Sequence, residues 1–243
     1  MQIETAYLSA CGGREYNDDT VQIMEKEGGL CAFVGDGLGG YSGGRMASEA
    51  AAKAVMEEWK TGKLSGLNED SFLEVGRCAD EAVKQVQKEK NGRMKTTMTV
   101  LCIEKEQARW MHTGDTRIYC FENGKLKSQT MDHSVSQVAV LMGEIKQEEI
   151  RFHEDRNRVL RALGSENAKP EVSKTAVLGT EKTAFLLCTD GFWEYVYEAE
   201  MEKALQNAKN PQEWLFYIED ILKKRVPTDN DNYSAAAVFV SKI

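Results

Sequence analysis

Three segments of this sequence share one pattern: an apolar run ends in a small residue, and aspartate followed by glycine or threonine comes next. The aspartates are Asp36, Asp115 and Asp190, and a fourth, Asp231, precedes the last apolar run. One Asp-Gly pair alone is typical of an ordinary turn, whereas three copies after comparable runs indicate a shared role. Carboxylate oxygens are the ligands that Mg²⁺ and Mn²⁺ prefer. The pattern therefore predicts a site for divalent cations.

Glycine follows two of these aspartates, at Gly37 and Gly191. Because glycine has no Cβ, it lets the chain turn sharply and brings a backbone carbonyl close to a metal that the preceding carboxylate binds. Clustered carboxylates would repel one another without such an ion. We therefore expect the aspartates to lie together at the ends of neighbouring strands.

The apolar spacing predicts the elements that must hold these aspartates. Alternating or continuous apolar runs predict strands at 3–9, 21–25, 30–34, 97–104, 108–112, 117–122, 125–129, 183–188 and 233–240. Helical apolar spacing predicts helices at 46–59, 68–87 and 211–224. Strands and helices do not alternate regularly, which favours an α+β fold with helices on the outer faces of antiparallel sheets.

Composition favours one domain over residues 1–243, because 42% of the residues are apolar and only three are proline. The first ten residues form a strand-like run, and no window approaches about 18 uninterrupted apolar residues, so we expect a cytoplasmic protein. The six cysteines contain no C-x-x-C pair, which argues against a zinc site or a disulfide framework. A net charge of −8 without a basic patch argues against nucleic acid or anionic membranes as partners.

Two longer motifs contain further acidic residues. Residues 14–19 read R-E-Y-N-D-D, and residues 36–48 read D-G-L-G-G-Y-S-G-G-R-M-A-S. They are similar to the R-x-x-N-E-D and D-G-M-G-G-H-x-x-G-x-x-A-S elements of the metal-dependent protein phosphatases of the type 2C, or PPM, family. Further elements follow in the family's order: T-T-M-T at 96–99, G-D-T-R at 114–117, D-H-S at 132–134, G-E-I at 143–145 with His153, R-A-L-G at 161–164, D-G-F-W at 190–193 and D-N-Y-S at 231–234. The resemblance covers nearly the whole chain and looks closest to the compact bacterial branch.

The resemblance implies a fold and an activity. The family's fold is two packed antiparallel β-sheets flanked by helices on both outer faces, an α-β-β-α sandwich, which agrees with the layers inferred from periodicity. The implied activity is hydrolysis of phosphoserine and phosphothreonine in proteins. Two ions of Mn²⁺ or Mg²⁺, with a third in some relatives, hold a bridging hydroxide that attacks phosphorus in line. The implied partners are phosphorylated proteins, the products of a serine/threonine kinase, and we expect a monomer.

The resemblance also assigns roles to individual residues. The expected metal-binding set is Asp18, Asp19, Asp36, Gly37, Asp115, Asp190 and Asp231. Within it, Asp36 matches the ligand that both core metals share. Asp190 and Asp231 match the remaining ligands of the first metal. Arg14 matches the phosphate clamp, where a planar fork of donors suits two phosphate oxygens.

The second metal and a third, weaker metal account for the rest of the set. The Gly37 carbonyl matches a ligand of the second metal, and Asp18 and Asp19 match an acidic pair that supports this metal, partly through water. Asp115 matches a ligand of the third metal, which would place it close to Asp190. An alternative stays open, in which Asp115 only caps its turn or pairs with Arg117.

The sequence departs from the family pattern at a few positions. Asp18 replaces glutamate, which shortens that side chain by one methylene and puts the support of the second metal in question. Leu38 stands where many eukaryotic members have a histidine proposed to protonate the leaving oxygen. Thr116 and Thr189 replace serines and retain the hydroxyl. Substrate specificity is expected in the polar stretch 136–158, which matches the family's variable flap.

Other phosphatase chemistries do not fit the sequence. None of the six cysteines has arginine six positions later, and the D-x-D at 229–231 does not continue into D-x-D-x-T. Asp132, His133 and Ser134 are consecutive, so they cannot form a triad among themselves, and we expect His133 to be structural. The alternative function is a pseudophosphatase that keeps the fold as a binding or regulatory module. The complete set of matching carboxylates favours the enzyme.

Overall fold

Two antiparallel β-sheets lie face to face in the computed structural model, which describes residues 1–26, 28–39, 43–179 and 182–241. The strands are β1 (Gln2–Ala10), β2 (Thr20–Lys26), β3 (Gly29–Gly35), β4 (Gly37–Leu38), β5 (Lys95–Thr96), β6 (Met98–Glu104), β7 (Gln107–Thr113), β8 (Arg117–Glu122), β9 (Lys125–Gln129), β10 (Glu171–Val172), β11 (Ala176–Val177), β12 (Thr183–Cys188) and β13 (Tyr233–Ser241). The helices are α1 (Gly43–Lys60), α2 (Glu69–Lys90), α3 (Val135–Leu141), α4 (Asp190–Trp193), α5 (Glu198–Asn207) and α6 (Pro211–Lys223), with a 3₁₀ helix at Gln147–Phe152.

The two sheets have different strand orders. The first sheet has the order β1-β13-β12-β8-β9, and the second has the order β10-β7-β6-β3-β2, with β11 also paired to β7. A separate two-stranded ribbon joins β4 to β5. In the second sheet, β6 runs antiparallel to both β3 and β7, so β3 and β7 run in the same direction. Their C-terminal ends therefore reach the same edge of the sheet.

The side chains of β3 show how the sequence builds two core layers. Successive residues of a strand face opposite sides of the sheet. Leu30, Ala32 and Val34 accordingly belong to the core between the sheets, whereas Cys31 and Phe33 face the core beneath α1 and α2. All seven residues of β3 are buried, and this explains its continuous apolar run in the sequence.

Helices cover the outer face of each sheet. Helices α1 and α2 pack on the second sheet through a core that contains Trp59 and Phe72. Helices α5 and α6 pack on the first sheet, where the Trp214 ring meets Phe121 edge-on with centroids 5.3 Å apart. Asn68 caps the start of α2 by accepting a hydrogen bond from the Asp70 N–H at 2.8 Å. None of the helices in the described ranges combines the length and apolar character of a membrane span.

The predicted α+β sandwich is confirmed, and every predicted strand and helix is present with ends that shift by up to three residues. The stretch 136–158 is more ordered than its polar composition suggests, because it contains α3 and the 3₁₀ helix. Both are too short to show a clear apolar period. The sequence also did not predict α4, α5 or the two-residue strands. Residues 40–42 of the glycine-rich motif lie outside the described residues.

Candidate active site

The ends of four strands bring the predicted aspartates to one edge of the sandwich. Asp36 directly follows β3, and Asp115 follows the end of β7 by two residues. These strands run in the same direction in the second sheet, so both aspartates lie at the same edge. Asp190 follows β12, whose last residue pairs with Ala235 of β13. Asp231 precedes β13 and therefore lies next to Asp190.

The first residue of β8 places Asp115 beside Asp190. Arg117 at this position pairs with Cys188, the last residue of β12, so the segments on either side of these residues adjoin. The charge of Asp115 is accordingly the strongest neighbouring charge that raises the pKa of Asp190. The structure thus places Asp115 close to Asp190.

Burial and mutual repulsion raise the pKa values of these carboxyl groups. Burial, followed by repulsion from Asp190, Asp19, Asp115 and Asp231, raises the pKa of Asp36 well above its ordinary value. Burial likewise raises the pKa of Asp19 and of Asp115 to about 7. These groups are difficult to ionise together unless a cation is present.

Two carboxylate oxygens in the cluster lack a protein donor. No hydrogen-bond donor within the described part of the chain reaches Asp19 Oδ1 or Asp115 Oδ1, although both atoms are buried. Leaving a buried acceptor unpaired costs about 1–3 kcal/mol, and more when it is charged. Hard divalent cations bind such oxygens and offset the repulsion. The donor set therefore fits divalent cations of the Mg²⁺ and Mn²⁺ type.

The two adjacent acidic residues at the N-terminal motif have different positions. Asp19 is fully buried, and its Oδ2 accepts a hydrogen bond from the Thr189 hydroxyl at 2.9 Å. Asp18 lies beside the N-terminal end of α1, and its Oδ1 accepts a hydrogen bond from the Arg45 N–H at 2.9 Å. The helix dipole also stabilises a negative carboxylate at the N-terminal end of a helix. Asp18 is thus already engaged by the backbone, whereas Asp19 lies among the clustered carboxylates.

Gly37 is required by close packing of two backbone segments. A Cβ on Gly37 would lie 2.2 Å from the Gly44 carbonyl oxygen, and a Cβ on Gly44 would lie 2.2 Å from the Gly37 carbonyl oxygen. Both distances are too short for any side chain at either position. This contact fixes the Gly37 carbonyl next to the start of α1, close to Asp18.

Arg14 lies at the rim of the aspartate cluster. Its Nε and Nη2 donate to the two carboxylate oxygens of Asp231 at 3.1 and 3.0 Å. Both side chains are about half exposed, so the guanidinium is accessible to a ligand in solvent. The sequence-based expectation placed Arg14 against substrate phosphate, and the structure shows that its fork of donors now holds a carboxylate of similar geometry.

Comparison with known proteins decides the family. The family model described as Protein phosphatase 2C matches residues 12–226, a range that includes Asp19, Asp36, Asp115 and Asp190 and ends five residues before Asp231. The chain belongs to the protein phosphatase 2C family.

Relatives of this protein phosphatase 2C chain include bacterial enzymes. The serine/threonine phosphatase stp of Listeria welshimeri is 33% identical over 207 residues, which cover 82% of this chain and 81% of the relative. The crystal structure of the Mycobacterium tuberculosis serine/threonine phosphatase PstP/Ppp superposes with a TM-score of 0.86 at 25% identity and covers 99% of both chains. The catalytic domain of PstP in complex with two manganese ions superposes with a TM-score of 0.84 at 24% identity over 99% of both chains, and shows the same fold.

Hydroxyl groups that orient Asp36 in this protein phosphatase 2C chain were not predicted. The Asp36 N–H donates to Thr97 Oγ1 at 2.8 Å, and that oxygen lies 2.5 Å from Thr116 Oγ1. The Thr96 hydroxyl donates to the Asp36 carbonyl at 2.8 Å. All three threonines are fully buried. Their T-T and G-D-T motifs suggested strand starts, but only the fold shows that the hydroxyls converge on Asp36.

Asn232 was also missed as a supporting residue. Its Oδ1 accepts the Asp18 N–H at 2.8 Å, and its Nδ2 donates to the carbonyls of Cys11 and Tyr16 at 2.9 and 2.8 Å. These bonds tie the N-terminal motif to the start of β13. No local sequence pattern could reveal them, because the partners are more than 200 residues apart.

Arg117 pairs with Asp132, so the alternative in which it pairs with Asp115 is wrong. Arg117 Nε and Nη2 donate to the two oxygens of Asp132 at 2.8 and 2.7 Å. The guanidinium carbon lies 3.4 Å from the centroid of the Trp193 ring, whose Nε1 donates to the Asp115 carbonyl at 2.9 Å. The arginine therefore supports Asp115 through Trp193, and Asp115 Oδ1 has no hydrogen-bond donor among the described residues.

His112 and His133 have structural contacts in this protein phosphatase 2C chain. His133 Nδ1 accepts the Gly114 N–H at 3.2 Å, which steadies the turn before Asp115. The rings of His112 and His133 stack 4.5 Å apart at an angle of 10°. Arg161 Nη1 lies 3.3 Å from His133 Nε2. A cation bound between His112 and His133 would be repelled by the positive charge of the Arg161 guanidinium, so the carboxylate cluster is the better metal site.

Proposed function

We propose that this chain is a protein serine/threonine phosphatase that depends on Mn²⁺ or Mg²⁺. The observation that carries the proposal is the convergence of Asp19, Asp36, Asp115 and Asp190, two of which have a buried oxygen without a donor among the described residues. Family membership supports the same activity, because the Listeria relative is named as a serine/threonine phosphatase. The substrates are phosphoproteins.

The carboxylates divide into two groups around Asp36. Asp190, which follows β12, and Asp231, which precedes β13, would hold one ion together with Asp36. The Gly37 carbonyl, with Asp18 and Asp19, would hold the other. When bound, the ions supply Lewis acidity and a water-derived nucleophile near neutral pH. Manganese in the PstP catalytic domain supports the choice of ion.

The remaining chemistry belongs to this chain's own side chains. Asp19, with a pKa raised to about 7, is partly protonated at neutral pH and releases this proton when a cation enters the cluster. The Arg14 guanidinium binds two oxygens of the phosphate and fixes its orientation at the rim. The buried threonines Thr96 and Thr97 hold Asp36 in place, so little reorganisation is required during the reaction.

A metal titration tests the proposal. Purified protein should hydrolyse both p-nitrophenyl phosphate and a phosphothreonine peptide only after Mn²⁺ or Mg²⁺ is added to EDTA-treated enzyme. The matched control is Lys209→Ala, which removes an exposed charge at the opposite end of β12. Metal binding by calorimetry without turnover of either substrate would favour the pseudophosphatase module instead.

Several finer properties belong to the same proposal. We propose that residues 1–243 act as one catalytic domain and as a monomer, which light scattering of the purified chain tests. The substrates would be products of a serine/threonine kinase, and comparison of the phosphoproteome with and without the gene would identify them. A cytoplasmic location agrees with six free cysteines, four of them buried, and cell fractionation checks it.

A further inference from the structure

A groove lies beside the β4–β5 ribbon, outside the aspartate cluster. It has a volume of about 490 Å³ and lies between the C-terminal end of α2, β5 and the segment 160–167. Gln87 joins these parts, because its Nε2 donates to the carbonyls of Met94 and Gly164 at 2.6 and 2.8 Å. The backbone of Thr96 also pairs with Leu163. The groove is therefore held by hydrogen bonds between its parts.

Two cationic side chains, Arg93 and Lys95, line this groove. Arg93 is exposed and Lys95 is half-buried. Neither forms an ion pair with any residue in the described ranges, whereas Lys84 on the neighbouring helix pairs with Asp80 at 2.6 Å. Glu166 is the acidic residue that lines the groove. The groove thus carries two positive charges against one negative charge.

The β4–β5 ribbon links Lys95, which lines this groove, to the backbone of Asp36. The Thr97 N–H donates to the Asp36 carbonyl at 2.9 Å, and Lys95 lies two residues before Thr97. Lys95 pairs across the ribbon with Leu38, two residues after Asp36. A strand rises about 3.3 Å per residue, so Lys95 lies about 7 Å along the chain from the contact with Asp36. An extended substrate peptide covers that distance in about two residues.

We propose that Arg93 and Lys95 form an anion subsite for the phosphoprotein substrate. The subsite would bind a carboxylate or a second phosphate located about two or three residues from the phosphoserine or phosphothreonine that is hydrolysed. This inference rests on the proposed function, because it names the kind of phosphoprotein that the same site prefers. Partly exposed cations suit this role, since they stay accessible and favour an anionic partner without burying a charge.

The test compares matched phosphothreonine peptides. One series has alanine at every flanking position, a second has glutamate at one position two or three residues before or after the phosphothreonine, and a third has phosphoserine there. Wild-type enzyme should show a kcat/KM that is about two- to fivefold higher for at least one glutamate peptide than for the alanine peptide, the range for an exposed ion pair. The phosphoserine series shows whether phosphate is preferred over carboxylate.

Three variants sharpen the test. Lys95→Ala and Arg93→Ala should each reduce the ratio of kcat/KM values for the acidic and alanine peptides, and the double variant should bring this ratio close to one. Glu166→Gln should increase the ratio, because it removes the negative charge of the groove. Lys209→Ala, at the far end of the first sheet, should not change it. The preference should also weaken at high ionic strength.

Two kinds of failure can be separated. If wild-type enzyme hydrolyses p-nitrophenyl phosphate and all peptides with Mn²⁺ but shows the same kcat/KM for the acidic and alanine series, the subsite is wrong and the phosphatase function stands. A preference that survives the double variant also overturns the subsite. If no substrate is hydrolysed, the proposed function itself fails. Circular dichroism of each variant checks that a changed ratio does not reflect unfolding.

Discussion

Two buried aspartates only 17 positions apart, Asp115 and Asp132, differ in what neutralises them. Asp132 is 5% exposed, and both of its oxygens accept hydrogen bonds from Arg117. Asp115 is 2% exposed, and its Oδ1 is reached by no donor in the described ranges. Burial raises the pKa of Asp115 to about 7. Asp132 thus has a counterion inside the protein, and Asp115 requires one from solution.

The difference shows which buried acidic residues are structural and which are functional. Folded proteins rarely bury a carboxylate without a partner, because desolvation destabilises the charged form. Asp132 meets this requirement through Arg117 and holds the fold together. Among the described residues, no cationic side chain forms an ion pair with Asp19, Asp36, Asp115 or Asp190, so a cation from solution would supply the missing positive charge.

The largest effect is expected for Asp36→Asn. This change removes a carboxylate that we place between two ions, so kcat should fall on the order of a thousandfold or more, as for single catalytic groups in other enzymes. In EDTA the variant should be at least as stable as wild type, because the cluster then contains one fewer repelling carboxylate. Kinetics on p-nitrophenyl phosphate and thermal melts measure both. Retained Mn²⁺-dependent activity would contradict the assignment.

The opposite response is expected for Asp132→Asn. Arg117 would keep its buried charge without a full counterion, and breaking such a pair costs about 3–5 kcal/mol of unfolding free energy. Urea denaturation in EDTA measures the loss. The metal affinity of the fraction that remains folded should be close to that of wild type. If Asp132→Asn is as stable as wild type, Asp132 does not stabilise the fold, and the proposed difference from Asp115 is wrong.

Arg14→Ala should affect the substrate more than the ions. Loss of a forked, charge-assisted contact with phosphate should reduce kcat/KM about ten- to a hundredfold. Because Arg14 holds Asp231 in this structure, the alanine variant should bind Mn²⁺ a few times more tightly, owing to removal of the competing cation. Calorimetry and steady-state kinetics separate the two effects. Weaker metal binding would show that Arg14 instead orients Asp231.

The pH dependence follows from the raised pKa values of Asp19 and Asp115. The folded metal-free protein keeps protons that the unfolded chain has lost, so its stability should fall as pH rises from about 4 to about 7. Cations displace these protons, and the apparent Mn²⁺ affinity should therefore increase up to about tenfold per pH unit for each proton released, levelling off above about pH 7. Thermal melts with and without Mn²⁺ between pH 5 and 8 measure both slopes. A metal-free stability that rises across this range would contradict the assignment.

The smallest effect is expected for Asp115→Ala. If Asp115 binds a third, weaker ion beside Asp190, two tight Mn²⁺ sites should remain, and kcat on a phosphopeptide should fall several-fold. The loss should be smaller on p-nitrophenyl phosphate, whose leaving group needs less protonation. Calorimetry counts the tight sites. Loss of one of them, or equal loss of kcat on both substrates, would exclude the third ion.

Much of the site could be predicted from local sequence, because each aspartate follows or precedes a recognisable strand. Asp36, Asp115 and Asp190 were found from one repeated pattern, and the structure brings them together. The direction of β3 and β7 in the sheet explains why the pattern works. The supporting residues could not be found this way. Asn232 contacts residues far away in the chain, and the T-T motif around Thr97 does not show that its hydroxyl contacts Asp36.

The fold shows the same limit. Long apolar elements such as β3 and α6 were predictable, because burial imposes a clear period on their residues. The groove near Lys95 was not, since it depends on contacts between α2, the ribbon and the segment 160–167. Short elements such as α3 contain too few residues for a period to appear. Long helices and strands can thus be predicted from the sequence, whereas contacts between distant segments can be found only from the tertiary structure.

The bonds of Asn232 have a consequence for synthesis on the ribosome. β1 pairs with β13 along its whole length, from Gln2 with Ser241 to Ala10 with Tyr233, and Asn232 holds the backbone at Asp18. A growing chain has made most of its carboxylates long before these partners emerge from the exit tunnel. Translation proceeds at about 5–20 residues per second, so the early carboxylates wait on the order of ten seconds or more. Nascent chains should therefore be unable to act on phosphoproteins near the ribosome until the last strand is free to pair.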